Sequence, residues 1–71
     1  MMNIEKIRII FNKKANTLDV WFDDPEKEFI CEETGDEIIL KKDKENRVIG
    51  FEKLNLSLKK DGLIPFEVIT E

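Results

Sequence analysis

The side chains able to do chemistry in this chain are carboxylates, lysines, one thiol and a few hydroxyls, because it contains neither histidine nor tyrosine. Any acid–base pair must therefore be assembled from carboxylates, lysines or the thiol. Cys31 lies in the apolar run Phe29-Ile30-Cys31 beside Glu32 and Glu33, whose negative charge raises a thiol pKa. It reads as a structural cysteine and not as a nucleophile. Ser57 has neither a nucleophile-elbow context nor a base to activate it. The carboxylates form two clusters, Asp23, Asp24, Glu26 and Glu28, then Glu32, Glu33, Asp36 and Glu37. Oxygen ligands of this kind suit calcium or magnesium, so a divalent-metal or small-ligand site in the acidic loop around Asp23, Asp24 and Glu26 is the alternative functional reading. The segment Asp43-Lys44-Glu45-Asn46-Arg47-Val48 has no glycine at its sixth position, as a calcium loop requires, and carries two cations; it reads as a hairpin turn. One cysteine without histidine excludes a structural zinc site. Gly35, Gly50 and Gly62 are too widely spaced to cradle a phosphate. No catalytic residue, metal ligand or cofactor site is assigned, and hydrolase, transferase or redox turnover is not expected.

Most apolar residues recur with period two, the pattern of strands. Residues 7, 9 and 11 alternate in Ile7-Arg8-Ile9-Ile10-Phe11, and 18, 20 and 22 in Thr17-Leu18-Asp19-Val20-Trp21-Phe22, with the polar loop Asn12-Lys13-Lys14-Ala15-Asn16 between them. Asp23-Asp24-Pro25 ends the second strand. Phe29-Ile30-Cys31 suggests a modest third strand, and Thr34-Gly35-Asp36 a turn. Glu37 to Lys42 and Arg47 to Leu54 form a second hairpin around Asp43-Lys44-Glu45-Asn46. Gly50 inside the fifth strand marks a bulge or a close passage of another segment. Residues 55–62 alternate like a strand through Leu54, Leu56 and Leu58, yet Asn55 and Gly62 suit the ends of a short helix, which is the preferred reading. Leu63 to Thr70 looks like a final strand or an extended arm. The expected fold is mainly β: one domain over residues 1–71, a small antiparallel sheet of five or six short strands built from hairpins, with at most one short helix near the C-terminus.

With 71 residues and no disulfide or zinc available, such a domain has a small core, and oligomerisation is the stabiliser left open. Charged residues make up 39% of the chain, well above the usual quarter, and ten lysines with ten glutamates are a bias associated with proteins working at high temperature. The net charge of -4 argues against nucleic acid or an anionic membrane as partner. The basic pairs Lys13-Lys14, Lys41-Lys42 and Lys59-Lys60 make no continuous stripe. Neither a membrane span nor a signal peptide is recognisable, so a cytoplasmic location is expected.

If residues 7, 9, 11, 18, 20, 22, 38 and 40 share one face of the sheet, the other carries Arg8, Thr17, Asp19, Glu37 and Lys41, but also Ile10, Trp21 and Ile39. Should these three adjoin, they form a patch of the kind that marks an interaction surface. Ile10, Trp21 and Ile39 are thus the candidate interaction face. Its cover is either the chain's own Leu58, Leu63, Ile64 or Phe66, or a second copy of the chain, or a different protein. A homodimer is expected.

Phe11-Asn12 followed by Asn16-Thr17-Leu18-Asp19-Val20-Trp21-Phe22 resembles the aromatic-Asp, then Asp-Ala-Leu-Tyr-Ile-x-Phe pattern of the domain of unknown function 2283 family of small prokaryotic proteins. Thr34-Gly35-Asp36-Glu37-Ile38-Ile39-Leu40, Asp43 and Val48-Ile49-Gly50-Phe51-Glu52 similarly resemble its Gly-Asp-Gly-Ile-x-Leu-Asp-x-Asp and Val-x-Gly-Ile-Glu runs. Here Asn12 and Asn16 stand for aspartates, Glu37 for a glycine and Lys41 for an aspartate, so positions an acidic site would need are amidated or basic. The resemblance implies a fold more than a chemistry. The family has no established activity, and the resemblance implies at most an antitoxin-like partner of a small toxin; the residues themselves point to a non-enzymatic module that binds another protein, itself or a small partner through the Ile10, Trp21 and Ile39 face or an exposed strand edge.

Overall fold

The computed structural model describes residues 4–56 and 64–71. Five strands, β1 (Arg8–Asn12), β2 (Thr17–Trp21), β3 (Ile30–Glu33), β4 (Ile38–Lys42) and β5 (Val48–Lys53), form one open antiparallel sheet in the order β1-β2-β5-β4-β3. The mainly β expectation holds with five strands. The hairpin β1-β2 and the meander β3-β4-β5 are joined by pairing of β2 with β5, which puts β5 at the centre and leaves β1 and β3 as edges. The link from β2 to β3 contains a single 3-10 turn, Pro25–Lys27. Asp24 caps it by accepting the Glu26 N–H at 2.9 Å, and Pro25 supplies the preset φ of a first helical position. The short helix expected over 55–62 falls almost wholly on positions 57–63, outside the described residues. Residues 64–71 join no ladder, so the last segment is an arm and not a sixth strand.

The two long hairpins use the same local device. In the β1-β2 loop Asn12 Oδ1 accepts the Ala15 N–H at 3.0 Å, and Asn16 closes the loop in the left-handed region at φ 58°. In the β4-β5 loop Asp43 Oδ1 accepts the N–H groups of Glu45 and Arg47 at 3.0 and 2.9 Å, Oδ2 accepts Arg47 Nε at 2.9 Å, and Asn46 closes it at φ 64°. Asparagine tolerates that backbone region better than most residues.

Asp43 is buried while accepting three hydrogen bonds, and the Arg47 backbone N–H, followed by its guanidinium, holds the carboxyl below its ordinary value. A depressed folded-state pKa stabilises the fold above the unfolded value, about 3.9 for aspartate, and that contribution is lost as pH falls through the lower folded value. Asp43→Ala is expected to lower the Tm at pH 7 by roughly 5 to 10 °C. It should also flatten the fall in Tm below about pH 4. Thermal melts of both proteins between pH 7 and pH 2 check this; parallel curves would refute it.

Candidate functional site

Residues directly opposite in antiparallel strands share a face, so the register sorts the side chains. One row of the second face runs Arg8, Trp21, Gly50, Lys41, Cys31; the next runs Ile10, Asp19, Glu52, Ile39, Glu33. Ile10 and Ile39 are therefore three strand spacings apart, roughly 14 Å, with Asp19 and Glu52 between them. Ile10 is exposed, Ile39 half-buried, and Trp21 only 7% exposed. The structure does not bring Ile10, Trp21 and Ile39 into one continuous apolar patch.

Trp21 is buried inside its own chain because its cross-strand neighbour is Gly50. A Cβ at Gly50 would stand 3.0 Å from Trp21 Cε3 and 2.6 Å from the Val20 carbonyl oxygen, so the indole occupies the space left by the missing side chain. Above the ring sits Lys41, with Nζ 5.6 Å from its centroid, a cation–π distance. The ammonium also lies 3.9 Å from Glu28 Oε2 and 4.0 Å from Glu52 Oε1. Glu28 further accepts a hydrogen bond from Cys31 Sγ at 3.0 Å. That bond, then partial burial, raises the Cys31 thiol pKa and outweighs the opposing pull of Lys41. The thiol stays protonated at neutral pH and is a poor nucleophile. Gly50 was the signal in the sequence for this arrangement, but its link to Trp21 requires the β2-β5 pairing.

The acidic loop is occupied by its own backbone. Asp23 Oδ1 accepts the Asp24 N–H at 2.7 Å, its carboxylate pairs with Lys27 at 3.2 Å, and Asp24 is the cap of the 3-10 turn. The Asp24 N–H and then Lys27 hold the Asp23 pKa below its ordinary value. Among the described residues no group of three or more carboxylates, cysteines or histidines is arranged to hold a metal ion, and no helix is long and apolar enough to cross a membrane.

The first face is the apolar one. Ile9, Phe11, Leu18, Val20, Phe51, Ile38 and Leu40 share it across four strands, and Phe22 tilts against Phe51 with ring centroids 6.2 Å apart. Among the described residues no second layer of helix or sheet stands over it. Ile9 is 46% exposed, and the other strand residues of this group are half-buried. Lys53 stands on this face between Leu18 and Ile38 and pairs with Glu37 at 3.2 Å, and Lys42 pairs with Glu32 on the side of β3. The row Ile9, Val20, Phe51 and Leu40 is uninterrupted by charge, and an apolar row flanked by charged residues is a composition that protein interfaces share.

The profile of the family described as "protein of unknown function (DUF2283)" matches residues 8–57. The chain belongs to this family. Comparison with curated proteins and with solved structures returned no match. The DUF2283 match begins with β1 and ends just beyond β5, so it spans the whole sheet. The DUF2283-like motif residues punctuate turns: Asn12, Asn16 and Asp43 build the hairpin loops. Glu37, where the DUF2283 pattern has glycine, sits at φ 60°. A glycine adopts that backbone freely, whereas Glu37 is held there with its carboxylate bonded to Asn55 Nδ2 at 3.0 Å and Lys53 Nζ at 3.2 Å.

Proposed function

We propose that this DUF2283 protein is a non-enzymatic protein-interaction module whose working surface is the apolar face of its sheet. The observation that carries the reading is a single-layer sheet with Ile9, Phe11, Leu18, Val20, Ile38, Leu40 and Phe51 on one side and no second layer over them among the described residues. Contiguous apolar surface of this kind marks a place where another chain sits. The groups that could compete for a chemical role are already engaged: Cys31 with Glu28, Asp23 with Lys27, Asp43 with Arg47. A partner covering the sheet is either another copy or a different small protein of the kind the family resemblance implies.

Ile9 lies on edge strand β1 and is the natural place to disturb this face without disturbing the fold. Tagged wild-type chain recovered from its native cells is expected to carry a protein component at fixed stoichiometry, a second copy included. Ile9→Glu should lose it while keeping the β-sheet circular dichroism of the wild type. Equal retention by both, or wild-type chain recovered as bare monomer, would overturn the proposal.

A further inference from the structure

The two edges of the sheet are guarded unequally. Strands β2, β4 and β5 are buried or half-buried at every residue but Val48, whereas β1 is exposed at every residue but Phe11, and β3 throughout. Among the described residues β1 pairs only with β2, in an unbroken register from Arg8 opposite Trp21 to Asn12 opposite Thr17. Proteins blunt such edges with charge, proline or a bulge. Strand β3 carries Glu32 and Glu33, with Glu28 just before it, but β1 has Arg8 as its one charge, no proline and no bulge. Along it Ile7, Ile9 and Ile10 are 56%, 46% and 44% exposed. Resting on the interaction-module reading, we infer that the partner is a second copy of this chain, its β1 laid antiparallel against β1 of the first about a twofold axis at Ile9, so that the two sheets continue as one.

The backbone of β1 is in phase for this contact. Phe22 N–H donates to the Ile49 carbonyl at 2.7 Å, and the Val20 carbonyl oxygen points at Gly50, so Val20 and Phe22 turn their polar groups to β5. Alternate residues turn theirs the other way. Asp19 and Trp21 therefore bond their partners Ile10 and Arg8, which directs the N–H and C=O groups of Ile9 and Phe11 outward, with Ile7 continuing the alternation. Pairing about Ile9 sets Ile9 against Ile9 and Ile7 against Phe11, and each pair exchanges N–H···O bonds. These side chains lie on the apolar face, so its uncharged row of Ile9, Val20, Phe51 and Leu40 runs on into the other copy. Charge selects this register and favours the chain's own strand over a foreign one. With the axis at Ile9, Arg8 meets Ile10 and Glu5 meets Lys13 of the other copy. An axis at Arg8 would set two guanidinium groups face to face, and one at Ile10 would set Lys6 against Lys14; like charges directly opposite are destabilising. The twofold pairing uses up both β1 edges, and the charged β3 edges stop further addition, so the assembly closes at two copies.

The test combines light scattering after gel filtration with amide hydrogen exchange by NMR, on the full chain from about ten micromolar to about one millimolar. The wild type is expected to reach twice 8.4 kDa as concentration rises. The amides of Ile9 and Phe11 should exchange fast in the dilute monomer and slowly in the dimer, while those of Arg8 and Ile10, bonded to β2, stay slow throughout. Ile9→Lys, which brings two ammonium groups together on the axis, should raise the dimer dissociation constant roughly 10-fold or more with unchanged sheet circular dichroism. Glu5→Lys should raise it about threefold, and adding Lys13→Glu to the same chain should restore it. A dimer indifferent to Ile9→Lys, or one whose Ile9 and Phe11 amides still exchange fast, would overturn the β1 contact, and a double charge reversal no tighter than Glu5→Lys alone would overturn its register. Slow exchange of Ile9 and Phe11 in the dilute monomer would overturn it too, since the edge would then be occupied by its own chain. A chain monomeric throughout, yet recovered from its native cells with a different protein at fixed stoichiometry, would overturn the second copy and leave the interaction-module reading standing; bare monomer in both experiments would overturn both.

Discussion

Gly50→Ala is expected to destabilise the fold by about 3 kcal/mol or more, a large share of what a chain of this length has. Stability of roughly 0.05 to 0.15 kcal/mol per residue gives a 71-residue domain about 4 to 10 kcal/mol. The added methyl would lie 2.6 Å from the Val20 carbonyl oxygen, 3.0 Å from Trp21 Cε3 and 3.3 Å from Trp21 Cα. Two of these three atoms are backbone, and β2 and β5 are held there by the central ladder, so a rotamer change cannot relieve the contact. The cost is steric and not conformational, because Gly50 does not occupy the left-handed region. Gly35 supplies the control. It has φ 92°, and a methyl added there would meet nothing within 4 Å, so Gly35→Ala should cost only about 1 kcal/mol from backbone strain. Urea titrations of the two variants should separate them clearly. A Gly50→Ala protein as stable as the wild type would mean that β2 and β5 do not approach as described.

That contact explains which parts of the molecule are legible in sequence. The hairpins are local: alternation in residues 7–11, 17–22, 38–42 and 48–53 and turn residues at Asn12, Asn16, Asp43 and Asn46 lie within a few positions of one another. Strand β3 is legible only as a short apolar run, and it extends through Glu32 and Glu33, which pair with Leu40 and Ile39. The pairing of Leu18 with Lys53 and of Trp21 with Gly50 is not written locally. Grouping Ile10, Trp21 and Ile39 as one face is correct for strand parity, yet parity does not say how many strands separate them or which residue lies opposite. Once β5 is inserted between β2 and β4, Asp19 and Glu52 divide Ile10 from Ile39, and Gly50 admits the indole. The arm illustrates the converse. Ile64, Phe66 and Val68 alternate as strand residues do, but alternation signals an extended chain and a side to bury, not the partner that buries it.

The second large effect is expected at Ile49, where truncation to alanine should cost about 2 to 5 kcal/mol. The ladder between β4 and β5 pairs Lys41 with Gly50 and Lys42 with Val48, so Ile49 is the extra residue of a bulge. Its carbonyl turns toward the other neighbour and accepts the Phe22 N–H at 2.7 Å, continuing the contact of β2 with β5 beyond Trp21. Its side chain is wholly enclosed, the only large one among the described residues that is. In a sheet with so few enclosed side chains, a cavity at this point has no deeper layer to collapse onto, which places the cost toward the upper part of that range. Ile49→Val, which removes one methyl, should cost about 0.5 to 1.5 kcal/mol. Ile9→Ala, measured where the chain is monomeric, should cost less than Ile49→Ala because Ile9 already faces water. The comparison is best made by urea unfolding over a wide range of protein concentration. Ile49→Ala should carry the same penalty throughout, whereas the penalty of Ile9→Ala should grow with concentration if a partner copy takes its side chain out of water. An Ile9→Ala penalty equal to that of Ile49→Ala in the dilute monomer would mean that the sheet face is already covered within one chain.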